Sequence, residues 1–199
     1  MSLERILNAG SVAIIGASKN ETKRGYQTIR TLLDEKYEGR IYPVNPKEKS
    51  ILGFQCYKKV SDIEEPVDVA LVATPAATLP AVLEDCGRNG VSGAVVLAGG
   101  FGEMGPDGRK LENEMIAVAK KHNIRLIGPN TSGMLNMHDH LNLVGLKDAP
   151  QGDIALLTQS GNMALTLITE AKIKSRKGFS YYVGVGNEAD IKFHEYLEF

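Results

Sequence analysis

At 199 residues the chain can hold one domain and part of a second, and 43% hydrophobic with 24% charged residues is the balance of an ordinary globular protein. Its net charge of −1 gives no general attraction for nucleic acid or an anionic membrane, so any anion must be held by a local arrangement of donors. Cys56 and Cys86 have no CxxC or Cys/His spacing, which argues against a disulfide framework or structural zinc, and no run is apolar enough for a signal peptide or a membrane span, so cytoplasm is the expected compartment.

Ser11 to Ile15 (SVAII) is a short apolar run that stops at Gly16 and predicts a buried strand. Arg24 to Tyr37 places Ile29, Leu32 and Leu33 at helical spacing, with Gly39 as the stop. Arg40 to Val44 (RIYPV) is a second strand, limited by Pro43 and Pro46. Val67 to Ala73 is a third, followed by a helix over Ala76 to Arg88. Gly93 to Leu97 is a fourth, followed by Ala98-Gly99-Gly100-Phe101-Gly102 and a helix over Arg109 to His122; Arg125 to Ile127 is a fifth, ending at Gly128.

The strands are continuous apolar runs alternating with helices, which predicts an α/β fold: a Rossmann-like, doubly wound parallel sheet covered on both faces. In such a sheet the ligand sits beyond the carboxyl ends of the strands, where the sequence collects small and polar residues. From Thr131 to Gly152 the periodicity lapses. Asp153 to Leu157, Ser160-Gly161, Asn162 to Ala171 and Phe179 to Val185 then read as strand, turn, helix and strand. The expected division is 1–130, a connection over 131–151, and part of a flavodoxin-like α/β unit over 152–199.

Gly16-Ala17-Ser18, between a strand and a helix, suits an anion: glycine permits close backbone approach and a helix start offers unpaired N–H groups. Lys19, Lys23 and Arg24 add positive charge. The loop is not the G-x-G-x-x-G of nicotinamide folds, since the next glycine after Gly16 is Gly25. Where those folds expect an acid after the second strand, this chain has Val44-Asn45-Pro46-Lys47, and a lysine suits a ribose phosphate. Gly99 to Gly108 lacks the Gly-Lys-Ser/Thr of a Walker loop; Glu103 there reads as a cap for the helix at Arg109, with orientation of a ligand as the alternative.

GAS, PVNPK, ATPA, AGGFGE and GPNTSG, in this order at five successive strand ends, resemble the CoA-binding domain of ADP-forming acyl-CoA synthetases, shared with the succinyl-CoA ligase alpha subunit and some bacterial protein lysine acetyltransferases. The resemblance extends through QSGN and VGNEAD. It implies coenzyme A as cofactor. Gly16, Ala17 and Ser18, with Lys19, Arg24 and Gly25 beside them, would form the phosphate turn. Val44, Asn45, Pro46 and Lys47 would face the adenosine end. Ala73, Thr74 and Pro75, then Leu97, Ala98, Gly99 and Gly100, would lie along the pantetheine, and Asn130 near the thiol. Ser160, Gly161 and Asn162 would receive a phosphate at a helix start; an ordinary serine N-cap is the alternative. Leu165 stands where the succinyl ligase pattern has a tyrosine, so succinate contacts are not implied.

The same resemblance implies an acid–thiol ligase working through a phosphohistidine, with an ATP-grasp domain or beta subunit as partner. By motif order that histidine lies beyond Phe199: His122 ends a helix, His138 and His140 lie in the connection, and His194 falls on the last helix, expected over Glu188 to Phe199. This stretch is therefore expected to bind coenzyme A or acyl-CoA without turning it over alone. A regulatory CoA-binding module and an NADP-dependent oxidoreductase are the alternatives.

Overall fold

The structure is a computed structural model in which residues 3–174 and 177–199 are described. Five strands form a parallel sheet: β1 (Ser11–Ile15), β2 (Arg40–Val44), β5 (Val69–Val72), β6 (Gly93–Val96) and β7 (Arg125–Ile127), in the spatial order β2-β1-β5-β6-β7. Ile15 pairs with Val44 on one side and Val72 on the other, so the tips of β1, β2 and β5 are level. Alternation along β1 sends Val12 and Ile14 to one face and Ala13 and Ile15 to the other. The first pair packs on Ile29 and Leu32 of α2 (Arg24–Asp34). The second packs with Leu83 and Cys86 of α3 (Leu79–Asn89) and Met115 and Ala119 of α4 (Pro106–Lys121). Burial pushes the Cys86 thiol up to about 12, so it behaves as a packed apolar group.

The predicted helix limits shift for local reasons. α2 stops at Asp34, and Lys36 beyond it takes φ 60°. Residues Ala76–Thr78 are a 3-10 turn before α3, and α4 starts at Pro106, where the ring fits a first helical turn. A short hairpin, β3 (Ser50–Ile51) and β4 (Phe54–Gln55), turns on Leu52-Gly53, both at positive φ. A four-residue helix, α1 (Glu4–Leu7), buries Ile6 and Leu7.

The stretch read as a connection carries two strands, β8 (Met134–Asn136) and β9 (Leu141–Asn142). With β10 (Gln151–Thr158) and β11 (Phe179–Gly184) they form a second sheet in the order β10-β11-β8-β9, in which only β10 and β11 run parallel. Met134, Leu141, Leu143, Val183 and Val185 share one core with Ile14 and Ile29, so the second sheet helps to cover the α2 face of the first. α5 (Gly161–Lys174) buries Ala164 and Ile168 against Phe179 and Tyr182 and exposes Met163, Leu165, Leu167 and Ile173. Arg125 at the edge of the first sheet grips Asp190 at 2.9 Å and Glu195 of α6 (Phe193–Glu198) at 2.8 Å, which fastens the last segment across β7.

Candidate functional site

With β2 on one side of β1 and β5 on the other, the chain reverses its direction of travel across the sheet, so the switch point lies between β1 and β5, where a crevice opens beyond the strand tips. Gly16 takes φ +85° there and donates its N–H to Val44 O at 3.1 Å. A Cβ at Gly16 would stand 2.9 Å from Ala73 O, so the turn between the β1 and β5 tips requires glycine. The N–H groups of Ala17, Ser18 and Lys19 reach no acceptor among the described residues and are available to an anion.

Ala17 is fully buried; its carbonyl accepts from Asn45 Nδ2 at 2.7 Å, and Asn45 Oδ1 accepts from Lys47 N–H at 2.9 Å. Asn45 is thus a tie between two loops. Ser18 Oγ accepts from Asn20 N–H at 3.0 Å. Lys19 is paired with Glu48 at 2.9 Å, which neutralises part of the expected positive charge. Arg24 points away: its guanidinium donates to Val144 O at 2.6 Å and Ser132 O at 3.1 Å, joining α2 to the stretch that carries β8 and β9. Gly25 is a packing position, since a Cβ there would lie 2.5 Å from Gly16 O and 2.8 Å from Ala17 Cα.

Gly16, Val44, Asn45, Pro46, Thr74 and Pro75 line one cleft of about 610 Å³, which continues along α3 past Thr78 and Val82. Lys47 is exposed on the loop outside this lining. The cleft also has three cations that the sequence reading missed, Lys58, Lys59 and Arg88. They are distant in sequence from every strand-tip motif, and only the fold gathers them.

Leu97, Ala98, Gly99 and Gly100 follow β6 beside Asn130, whose N–H donates to Ala98 O at 2.8 Å. Glu103 does not cap α4. Its Oε1 accepts from Gly100 N–H at 2.6 Å, and its Oε2 accepts from Asn187 Nδ2 at 2.6 Å. Burial works against the charge on Glu103, yet the Gly100 N–H and its other donors hold the carboxyl below the usual range. Glu103 therefore ties the β6 loop to the VGNEAD segment of the second unit. At α5, Ser160 Oγ accepts from Met163 N–H at 3.2 Å, the geometry of an N-cap, and Gly161 packs on Ser132.

Among the described residues no cluster of His, Cys, Asp or Glu could hold a metal ion, and no helix is long and apolar enough to cross a membrane. His122, largely buried between α3 and α4, contacts Glu84 at 2.9 Å, and the exposed His138 contacts Gln151 at 3.3 Å.

A glycine turn with free amides at the switch point of a parallel sheet, opening on an apolar cleft, defines a protein that binds a phosphate-bearing nucleotide cofactor. The family model described as "CoA binding domain" matches residues 10–137, and "Succinyl-CoA ligase like flavodoxin domain" matches residues 151–199. The chain belongs to the CoA-binding domain family, and coenzyme A is its cofactor. It is 44% identical over 190 residues to an ADP-forming acetate–CoA ligase of Methanocaldococcus jannaschii, covering 95% of this chain and 26% of that protein. To the alpha subunit of ADP-forming acetate–CoA ligase I of Pyrococcus furiosus it is 42% identical, covering 100% of this chain and 44% of that one. The structure superposes with TM-score 0.94 on a dinucleotide-forming acetyl-coenzyme A synthetase of Ca. Korarchaeum cryptofilum solved with phosphate and ADP, at 37% identity over 99% of this chain and 42% of that one. The chain thus spans less than half the length of these relatives.

Proposed function

We propose that this chain is the CoA-binding part of an ADP-forming acyl-CoA ligase, a cytoplasmic enzyme converting acyl-CoA, ADP and phosphate into free acid, CoA and ATP. The observation that carries the reading is the level convergence of the β1, β2 and β5 tips on one cleft, with Gly16 at its head and unpaired amides beside it. Residues 1–130 would form the CoA-binding unit, and 152–199, reached through 131–151, part of a second.

The free amides of Ala17, Ser18 and Lys19 would hold the diphosphate, helped by the nearby start of α2. Val44, Pro46, Thr74 and Pro75 offer flat apolar walls for the adenosine, with Asn45 fixing the loop and Lys47 at its outer edge. Ala73 and the Leu97 to Gly100 stretch would lead the pantetheine arm toward Asn130. When bound, coenzyme A supplies the thiol that carries the acyl group. The chain's own part is to bind and orient that carrier. Ser160, Gly161 and Asn162, at the start of a fourteen-residue helix, would receive phosphate. Nucleotide chemistry falls to an ATP-grasp domain or beta subunit, in keeping with relatives that are named as alpha subunits.

Titration of this chain with CoA and with NADP in a calorimeter tests the reading. Saturable micromolar heat with CoA and none with NADP is expected. Binding of NADP in preference to CoA overturns it.

A further inference from the structure

Away from the cleft, we propose that a second copy of this chain docks on the open edge of the second sheet, so that β10 and α5 each meet their own counterpart across a two-fold axis. β10 is the outer strand of that sheet and pairs, among the described residues, with β11 alone. Ile154 N–H and Thr158 O are spent on the β11 side, so the N–H and C=O groups of Ala155 and Leu157 between them point outward. Monomeric proteins blunt such an edge with lysine, proline or a covering element. Over Gln151–Thr158 the one charged side chain is Asp153, and there is no proline.

α5 carries the same open face one layer up. Ala164 and Ile168 point at the sheet. At about 100° per residue, Gly161, Leu165 and Lys172 share one flank. That flank is turned inward, since Gly161 stands against Ser132 and Lys172 pairs with Asp148 at 2.9 Å. The opposite flank holds Met163 and Leu167, 57% and 44% exposed, and overlooks the outer edge of β10. There Ile154, on the same face of the strand as the packed Leu156, is 43% exposed. Unpaired backbone groups and an apolar strip thus lie along one edge.

One axis serves both elements, which makes the face complementary to itself. α5 runs back along β10: Leu167 lies six residues, or about 9 Å, into the helix, and Ala155 lies three residues, or about 10 Å, below the end of the strand. The two are therefore level. A two-fold axis at that height sets Ala155 against its own counterpart, exchanging N–H···O bonds, and Leu157 against Asp153 of the other copy. No like charges are opposed. Antiparallel strands about 4.8 Å apart would bring the two helices, each seated over β10 and β11, to about 10 Å, the spacing at which helices pack. Met163, Leu167 and Ile154 would then be covered together. The strip is as long as α5, about 20 Å, and on the order of 500 Å² per copy, the low end for a specific interface, so a dissociation constant on the order of tens of micromolar is expected.

Sedimentation equilibrium on this chain over about 5–500 µM tests the inference, and the wild type should pass from monomer to dimer across that range. The double variant Ile154→Lys/Leu167→Lys should associate at least about tenfold more weakly, because two desolvated lysines would face their own counterparts. Its far-UV spectrum and its CoA titration should match the wild type, which separates a lost interface from a lost fold. Ala155→Cys should give disulfide-linked dimers on mild oxidation, since the native Cys56 and Cys86 are buried and a hydrogen-bonded antiparallel pair stands about 5.5 Å apart at Cα. Ile173→Cys, on the outer side of α5, should not. A wild type that stays monomeric throughout overturns the inference and leaves the face to a strand and helix of a longer ligase polypeptide. A dimer that survives the lysine variant, or that does not cross-link through position 155, overturns it as well.

Discussion

Asn45 Nδ2 donates to the carbonyl oxygen of Ala17 across 2.7 Å, a buried-side link between the loop after β2 and the turn after β1 that the Lys19–Glu48 pair repeats at the surface. The two loops leave adjacent paired strands, whose tips are level at Ile15 and Val44 and joined by the Gly16 N–H to Val44 O bond. The side chain of Asn45 therefore extends that pairing past the strand ends, fixing the proposed adenosine loop against the proposed diphosphate turn.

Asn45→Ala removes that bond and the one Asn45 Oδ1 accepts from Lys47 N–H. Losing one partly buried and one exposed hydrogen bond, with the buried Ala17 carbonyl left unpaired, should cost about 1–3 kcal/mol of stability by chemical denaturation. CoA affinity should fall at least about fivefold in the same variant, because the turn is no longer preorganised.

Gly25→Ala should be far more damaging than its size suggests. The added Cβ meets Gly16 O at 2.5 Å and Ala17 Cα at 2.8 Å, both backbone atoms that cannot step aside. A loss of about 1–3 kcal/mol or more is expected from thermal melts. Gly10→Ala is the control: its nearest neighbour would be 3.7 Å away, an ordinary contact, so a change within about 0.5 kcal/mol is expected.

The α3–α4 contact predicts an acid-side pH effect. Hydrogen bonds from Lys121 and then His122 hold the Glu84 carboxyl down to about 2. A folded pKa below the ordinary carboxylate value near ~4.3 stabilises the fold above that value, and the contribution fades as pH drops toward 2. Glu84→Gln should accordingly differ from the wild type by a constant amount in urea midpoint from neutral pH down to about 5, and the gap should close on further acidification. A gap that widens below pH 4 would contradict the assignment.

Glu103 joins Gly100 of the first unit to Asn187 of the second through one carboxylate. Glu103→Ala should speed amide hydrogen exchange at Gly100 and in the 185–190 segment together, while β1 and β5 exchange as before. Glu103→Gln retains an acceptor for one of the two donors and should restore part of the protection.

The parallel sheet was legible in the sequence because each strand is a dense apolar run closed by glycine or a turn residue, as SVAII before Gly16 shows. β8 and β9 were not, since strands of three and two residues are too short to show any alternation. Glycine and arginine were legible as residue types but not in their duties. Gly25 packs on the turn it was expected to help form, and Arg24 donates to carbonyls of the stretch that carries β8 and β9. Glu103 had a reasonable local role as a cap, and a partner 84 positions away claimed it instead. Lys58, Lys59 and Arg88 carry no local pattern; they acquire significance only when α3 is laid beside the segment after β4.

The mingling of the two units on the α2 face bears on how this protein can be cut or shuffled. Met134, Leu141, Leu143, Val183 and Val185 interleave with Ile14 and Ile29, so there is no clean seam at which to part them. A polypeptide excised near Asn130 would present that apolar face to water, at about 1.5–3 kcal/mol for each large side chain uncovered. The cofactor-binding sheet and the β-ribbon laid across it thus behave as one cassette: an engineer grafting this cleft elsewhere must carry residues through Val185 along with it.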